Sequence, residues 1–117
     1  MKRKNCCPIA QALGVLGDKW SLIVLRDVIF GKKRHFNDLL ASPEKISTNI
    51  LSNRLKTLQE ESLLCCSVDL ENRRSKIYTP TEKAQDLVPV LVELYKWGEK
   101  YNDRADTAEN PMQDEPF

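Results

Sequence analysis

The leucine spacing between Ser47 and Glu61 is typical of an amphipathic α-helix. Leu51, Leu55 and Leu58 recur at i, i+4 and i+7, which places the three side chains on one face of an α-helix. Ser47 stands directly before the helix, where a serine hydroxyl accepts a hydrogen bond from a backbone N–H of the first turn. The sequence therefore predicts an amphipathic helix that is capped by Ser47 and buries its leucine face.

The opposite face of this helix is polar but has no acidic side chain before Glu60. It carries two amides, a hydroxyl and one cation, from Asn49, Asn53, Ser52 and Lys56. Asparagine pairs bidentately with adenine in the major groove, and small hydroxyls reach any base, so this composition favours contact with base edges. The competing interpretation is a plain solvent-exposed face, although such a face usually mixes Glu with Lys.

The remaining helical patterns surround this segment. A helix at about residues 8–16 begins with Pro8, and a helix at about 19–30 is apolar nearly all round, which indicates a buried central position. A short helix at about 36–41 ends before Ser42-Pro43. Thr81 caps a long last helix that reaches about residue 101 and is broken or kinked at Pro89.

Between the polar-faced helix and Thr81 the apolar period changes to two. Alternation over about residues 64–70, a polar turn at 71–74 and a returning segment at 75–78 predict a β-hairpin. A short helix, a turn and an amphipathic helix form a helix-turn-helix, and a following hairpin forms a wing. We therefore expect a mainly α chain with a small β-hairpin wing, a winged helix-turn-helix at about residues 34–79.

Charge is distributed unevenly along the 117 residues, whose net charge is only +1. Basic runs occur at residues 2–4, 32–34 and 73–76, whereas residues 104–117 carry four acids and one arginine. The composition of residues 104–117 predicts a disordered acidic tail. We expect one domain over residues 1–103, whose net charge of about +4 gives it a cationic face.

The same residues argue against several protein classes. The apolar run at about residues 20–30 is too short for a membrane span and contains Arg26 and Asp27. The four cysteines form two adjacent pairs, Cys6-Cys7 and Cys65-Cys66, without zinc-finger spacing. The sequence shows no nucleophile–base pair or phosphate loop. We expect a cytoplasmic protein with reduced thiols, no cofactor, no metal, no membrane contact and no enzymatic activity.

Short motifs follow one another in a fixed order over about residues 6–101. They are Cys7-Pro8-Ile9, Gly17 to Leu22, Leu25-Arg26-Asp27, Arg34 to Leu39, Ile46-Ser47, Leu51 to Lys56, Tyr78, Thr81-Glu82-Lys83, Leu87 to Leu91 and Trp97-Gly98. Each motif is weakly specific alone, but their order and spacing resemble the HxlR family of bacterial winged-helix transcription regulators. Among the departures, Ser62 stands where the family usually has glycine.

The resemblance implies a homodimer whose first and last helices, about residues 8–16 and 82–101, form the interface. It also implies that the dimer binds double-stranded DNA at a palindromic operator with two recognition helices and two wings. The apolar arc of the last helix is wider than one small core requires, which independently favours an interface. The expected interface residues are Ile9, Leu13, Leu91, Leu94, Tyr95 and Trp97.

We expect the DNA contacts to come from the polar-faced helix and the cationic segments beside it. Base contacts are expected from the polar face defined above, and Thr48 can hold a phosphate near the helix start. Arg54 flanks the leucine face, where its guanidinium either pairs locally or contacts phosphate. Contacts to the DNA backbone or minor groove are expected from Arg34, Arg73, Arg74 and Lys76.

Cys7 is the candidate for chemistry, because it stands at the start of the first helix near three cations at residues 2–4. The helix dipole and those cations favour a reactive thiolate. The resemblance implies that this cysteine is a redox or electrophile sensor in some members. The competing interpretation is a small residue packed at the dimer interface.

Two further functions would suit the predicted fold. One is a winged-helix module that mediates protein–protein contacts in a larger assembly, for which no salt-dependent duplex binding is expected. The second is a repressor that responds to an unidentified small molecule or oxidant at the dimer interface. The acid-free polar face around Asn53 argues against the protein–protein module.

Overall fold

The computed structural model describes residues 7–102. The predicted acidic tail at 104–117 and Cys6 lie outside the described residues. The described elements in chain order are α1 (Pro8–Leu16), α2 (Lys19–Ile29), α3 (Phe36–Leu40), α4 (Thr48–Glu60), β1 (Leu64–Val68), β2 (Lys76–Pro80), α5 (Glu82–Gln85) and α6 (Val88–Tyr101). This arrangement is a mainly helical winged helix-turn-helix, and it confirms the predicted fold class.

Helix α2 forms the centre of the molecule, as its nearly uniform apolar sequence predicts. It packs against α1, α3, α4, α6 and the hairpin. The leucine face of α4 packs against α2, so the buried side chains of both helices belong to one shared core. The most deeply buried apolar side chains of this pair, none more than 2% exposed, are Val24, Leu25, Val28, Leu51, Leu55 and Leu58.

Helix α4 is fixed at both ends by its own sequence. The Ser47 hydroxyl accepts a hydrogen bond from the Ile50 N–H at 3.2 Å, which confirms the predicted N-cap. At the other end Ser62 has a φ of +63°, in the left-handed region, and the Leu63 N–H returns to the Leu58 carbonyl at 2.8 Å. This left-handed residue turns the chain from α4 into β1.

Strands β1 and β2 pair antiparallel, with Leu64 opposite Pro80 and Val68 opposite Lys76. The first strand ends two residues earlier than the pattern predicts, because the Asp69 carboxylate accepts a hydrogen bond from the Glu71 N–H at 2.9 Å and so begins the turn. The Tyr78 N–H donates to the Arg34 carbonyl at 2.8 Å. That bond attaches the hairpin to the segment that precedes α3.

The predicted long last helix is divided into α5 and α6. Pro89 lies in the first turn of α6, where its missing N–H costs no helical hydrogen bond. The helix is therefore interrupted just before Pro89, as expected. The Thr81 hydroxyl accepts from the Ala84 N–H at 3.2 Å and donates to the Ser62 carbonyl at 2.7 Å. Within residues 7–102, no helix has the length and hydrophobicity required to cross a lipid bilayer.

Candidate nucleic-acid interface

The polar face of α4 is open to solvent along its whole length. Its exposed residues are Thr48, Asn49, Ser52, Asn53 and Lys56. The buried leucines on the other side hold the helix against α2, and the first carboxylate of α4 is Glu60, at its last residue. Ile50 adds an exposed apolar side chain that the sequence pattern did not identify. The surface therefore offers donors, acceptors and one cation without a charge that would repel phosphate.

Arg54 does not belong to this open face, although it was expected among the DNA contacts. Its Nη1 donates to the Ser21 Oγ at 3.2 Å and lies 3.4 Å from the Asp18 Oδ2. Its Nε donates to the Asn53 Oδ1 at 3.2 Å. The guanidinium therefore pairs locally, the first of the two expected arrangements, because the start of α2 brings a carboxylate and a hydroxyl within its reach.

Arg34 is also engaged inside the molecule. Its Nη1 donates to the carbonyl oxygens of Val28 and Lys33 at 2.7 and 3.0 Å, and the residue is half-buried. These bonds satisfy one carbonyl group in the last turn of α2 and one in the connection between α2 and α3. The structure thus gives Arg34 a role in holding this connection, and its expected phosphate contact would require it to leave these acceptors.

The cationic residues of the hairpin are presented outward. Arg73, Arg74 and Lys76 are all exposed. The turn that carries them is held by the Asn72 side-chain oxygen, which accepts from the Arg74 N–H at 3.2 Å, and by the Ser75 N–H, which donates to the Asn72 carbonyl at 2.9 Å. The wing therefore presents three cations, two on an ordered turn and Lys76 at the start of β2.

His35 has carboxylate partners that the sequence did not reveal. Its Nε2 lies 3.1 Å from the Asp69 Oδ2, and its Nδ1 lies 3.6 Å from the Asp38 Oδ2. Hydrogen bonds from the Glu71 N–H and then from His35 lower the pKa of the Asp69 carboxyl below its ordinary value. The chain's single histidine thus connects the start of α3 to the wing.

A second polar cluster fixes the turn before α4. Arg26 donates to both carboxylate oxygens of Glu44, at 2.7 and 2.8 Å, and to the buried Asp27 at 2.8 Å. The Ser42 hydroxyl donates to Glu44 at 2.6 Å. Hydrogen bonds from Arg26, more than that from Ser42, lower the pKa of Glu44 to about 2, whereas burial raises the pKa of Asp27 against the opposing effect of Arg26.

Helices α1 and α6 expose apolar side chains, as the width of the apolar arc predicts. Ile9 is 71% exposed, Leu13 58%, Leu94 49% and Trp97 67%. Tyr95 is half-buried. Leu91, also expected at the interface, is only 5% exposed and packs in the core of the chain, which leaves little of its side chain for a partner. Two further exposed apolar residues of α6 are Val90 and Tyr101.

Cys7 is exposed and occupies the N-cap position of α1, where its side chain makes no capping hydrogen bond. The cations at residues 2–4 lie outside the described residues. Residues 7–102 contain no group of three or more His, Cys, Asp or Glu side chains suited to a metal ion. The position of Cys7 agrees with the sequence prediction, and its reactivity stays a prediction.

The HxlR-like helix-turn-helix family model matches residues 15–106 of the chain. The chain belongs to this family. An uncharacterised regulator of the helix-turn-helix type from Bacillus subtilis, YdeP, is 35% identical over 103 residues, which are 88% of this chain and 80% of YdeP. The transcriptional regulator YodB of the same organism is 29% identical over 92% of this chain and 95% of its own.

Solved structures show the same fold. The crystal structure of PA1607, a proposed transcription factor, superposes with a TM-score of 0.78 at 33% identity, over 91% of this chain and 72% of that one. The redox regulator HypR in its oxidised form gives a TM-score of 0.73 at 26% identity, over 84% of this chain and all of HypR. The chain is therefore a transcriptional regulator of the winged helix-turn-helix type.

Proposed function

We propose that this protein binds double-stranded DNA in a sequence-specific manner, as a homodimer on a palindromic operator. The exposed face of α4 carries the proposal, because it has amides, hydroxyls and a lysine but no acid before Glu60. Such a helix fits the major groove, where each base pair presents a distinct pattern of donors and acceptors. We propose base contacts for Asn49, Ser52 and Asn53.

The wing would supply contacts that position α4 without specifying sequence. Arg73, Arg74 and Lys76 stand exposed at the tip of the hairpin, which is attached to the start of α3 through His35 and Asp69. Cations at such a position reach the phosphates or the minor groove beside the recognition helix. Thr48 at the start of α4 is a further phosphate contact. Residues 34–79 would thus form the DNA-binding unit within one domain of residues 1–103.

The dimer would form through the exposed apolar faces of α1 and α6. Both helices pack on α2, and their exposed side chains include Ile9, Leu13, Leu94 and Trp97. A two-fold axis through this surface makes one self-complementary interface. It would place two copies of α4 about one DNA turn apart, roughly 34 Å, and so match an inverted repeat.

Selection from a randomised duplex pool tests this proposal. The wild-type protein should enrich an inverted repeat, and its affinity should fall steeply with salt because phosphate contacts release counterions. Asn53→Ala should weaken the enriched duplex by ~1–3 kcal/mol and leave random duplex nearly unchanged. Lys56→Ala is the comparison: an equal loss on both duplexes, with a salt slope lower by about one unit, identifies a phosphate contact.

The contrary result is a folded protein that enriches no sequence and shows no salt-dependent binding to duplex DNA. That result would favour a winged-helix module for protein–protein contacts. If Asn53→Ala weakens binding to the selected and the random duplex equally, Asn53 does not contact a base. The proposal that the protein binds DNA would then stand without that contact.

A second candidate function adds thiol-based switching through Cys7. The oxidised form of the redox regulator HypR and the reduced form of YodB share the fold of this chain, at 26% and 27% identity. Cys7 is exposed at the start of α1, a helix of the proposed dimer surface. Oxidation or alkylation there would disturb α1 and, through the dimer, the spacing of the two recognition helices.

Alkylation followed by mass spectrometry compares Cys7 with the half-buried Cys66. Cys7 should react first at neutral pH, and a mild oxidant should weaken operator binding of the wild type more than that of Cys7→Ser. If the wild type and Cys7→Ser lose affinity equally, Cys7 is a packing residue and any effector, small molecule or oxidant, acts at a different site.

A further inference from the structure

We propose that Arg54 is a specificity-determining residue that orients the Asn53 amide, so that Asn53 recognises guanine and does not pair bidentately with adenine. The inference rests on the proposed function, since it concerns the base that α4 contacts. It changes what the sequence alone suggests, because an exposed asparagine on a recognition helix otherwise favours adenine.

The orientation follows from the chemistry of the two side chains. The Nε and Nη2 of Arg54 both donate to the Asn53 Oδ1, and the Nε contact is 3.2 Å. A guanidinium has only donors, whereas an amide has an acceptor oxygen and a donor nitrogen. The amide must therefore turn its oxygen towards Arg54. Two donors also occupy both acceptor positions of that oxygen.

Arg54 is held in place by contacts to α2 that do not involve Asn53. Its Nη1 donates to the Ser21 Oγ at 3.2 Å and lies 3.4 Å from the Asp18 carboxylate. Ser21 is fully buried, and the Arg54 side chain is 21% exposed. The guanidinium is thus part of the packing between α2 and α4. Its position is set before any DNA arrives, which makes the amide orientation a preorganised property of the protein.

The group that Asn53 presents to solvent is then its NH2, which is a donor only. In the major groove guanine offers two neighbouring acceptors, N7 and O6, whereas adenine offers N7 beside the N6 amino donor. Bidentate pairing with adenine requires the amide oxygen, which Arg54 occupies. The amino group of adenine would also face the amide donor, and unmatched donors are costly in a desolvated contact. Guanine, the base with two neighbouring acceptors, is the one that matches this donor best.

The test compares base preferences selected from a randomised duplex pool by four proteins. Asn53→Ala identifies the base pair that Asn53 contacts, as the position where preference disappears. At that position the wild type should select guanine. Arg54→Met, which removes the donors but keeps an apolar stem, should shift the preference towards adenine by about tenfold, within the range of one good bidentate contact. Lys56→Met is the control and should leave this position unchanged.

A second measurement needs no variant that might unfold. The wild type is titrated with the selected duplex carrying 7-deazaguanine at the identified position, and the loss of N7 should weaken binding several-fold. Selection of adenine by the wild type overturns the inference, as does an unchanged preference in a folded Arg54→Met protein or unaltered affinity for the 7-deazaguanine duplex. Failure of the wild type to enrich any sequence would instead contradict the proposed function itself.

Discussion

The Nε2 of His35 lies 3.1 Å from the Oδ2 of Asp69 and thereby joins the N-cap residue of α3 to the residue that follows β1. Helix α3 is the first helix of the helix-turn-helix, and β1 is the first strand of the wing. Asp69 also accepts the Glu71 N–H at 2.9 Å, so one carboxylate shapes the wing turn and attaches it to the body. The orientation of the wing relative to α4 therefore depends on this pair.

We expect Asp69→Asn to loosen the wing and to weaken duplex binding several-fold, because it removes the carboxylate from His35 while keeping a side-chain oxygen for the turn. Hydrogen exchange measured by mass spectrometry should show faster exchange over residues 69–76. Asp38→Asn is the matched control, since Asp38 approaches the same ring at 3.6 Å and lies outside the wing. Equal exchange and affinity changes in the two variants would show that the pair does not position the wing.

A charge on the exposed face of α6 should separate the proposed dimer. Leu94 is 49% exposed on α6, and Leu70 is 81% exposed at the wing. Leu94→Glu should give a monomer at micromolar concentration, because a carboxylate in an apolar interface loses its hydration without a partner. Leu70→Glu replaces an equally large exposed leucine and should leave the dimer intact. Sedimentation velocity distinguishes the species, and a dimeric Leu94→Glu protein would exclude this face as the interface.

The elements that the sequence predicted well are those whose determinants are local. The cap and the leucine face of α4 are encoded between Ser47 and Leu58, within one helix, and α1 begins at Pro8 as expected. The local pairing of Arg54 could not be predicted in this way, because its partner Ser21 lies 33 residues away in the sequence. No periodicity reveals that the start of α2 packs beside the middle of α4, so sequence alone leaves both local pairing and phosphate contact open for Arg54.

Which apolar residues of α6 are buried and which are exposed could likewise not be predicted from the sequence alone. Leu91 and Leu94 are both leucines on one amphipathic helix, yet Leu91 is 5% and Leu94 49% exposed. The sequence gives the width of the arc but not the direction in which α2 covers it. His35 and Asp69, which are 34 residues apart, meet only because the hairpin folds back onto α3.

The Glu44 carboxylate should make stability dependent on pH below about 5. Its folded pKa of about 2 lies under the ordinary value of 4.5, chiefly because of hydrogen bonds from Arg26. A lowered pKa stabilises the folded state fully above the ordinary value, and this contribution is lost as pH falls towards the folded value. The carboxylate is 31% exposed, so screening by solvent reduces the contribution to roughly 1–2 kcal/mol.

Urea unfolding of Glu44→Gln and of the wild type, at equal protomer concentration and from pH 7 to pH 2, measures this difference. The variant should be less stable by that amount at pH 7, and the two unfolding free energies should converge near pH 2. Glu60→Gln, at the exposed last residue of α4, is the control and should change stability by less than about 0.5 kcal/mol at any pH. A constant difference between Glu44→Gln and the wild type would contradict the assignment.

Ser62→Gly should stabilise the protein. Ser62 has a φ of +63° where α4 turns into β1, and this conformation costs a residue with a Cβ roughly 1–2 kcal/mol. Glycine adopts it without strain but gains more freedom in the unfolded chain, so the net gain should be about 0.5–1 kcal/mol. Ser67→Gly is the control. Ser67 is an exposed serine in β1 opposite Ile77, and its replacement by glycine should lower the free energy of unfolding by a similar amount. Urea unfolding at equal protomer concentration should therefore give free-energy changes of opposite sign. Destabilisation by both variants would mean that the Ser62 side chain contributes more to the turn between α4 and β1 than its backbone conformation costs.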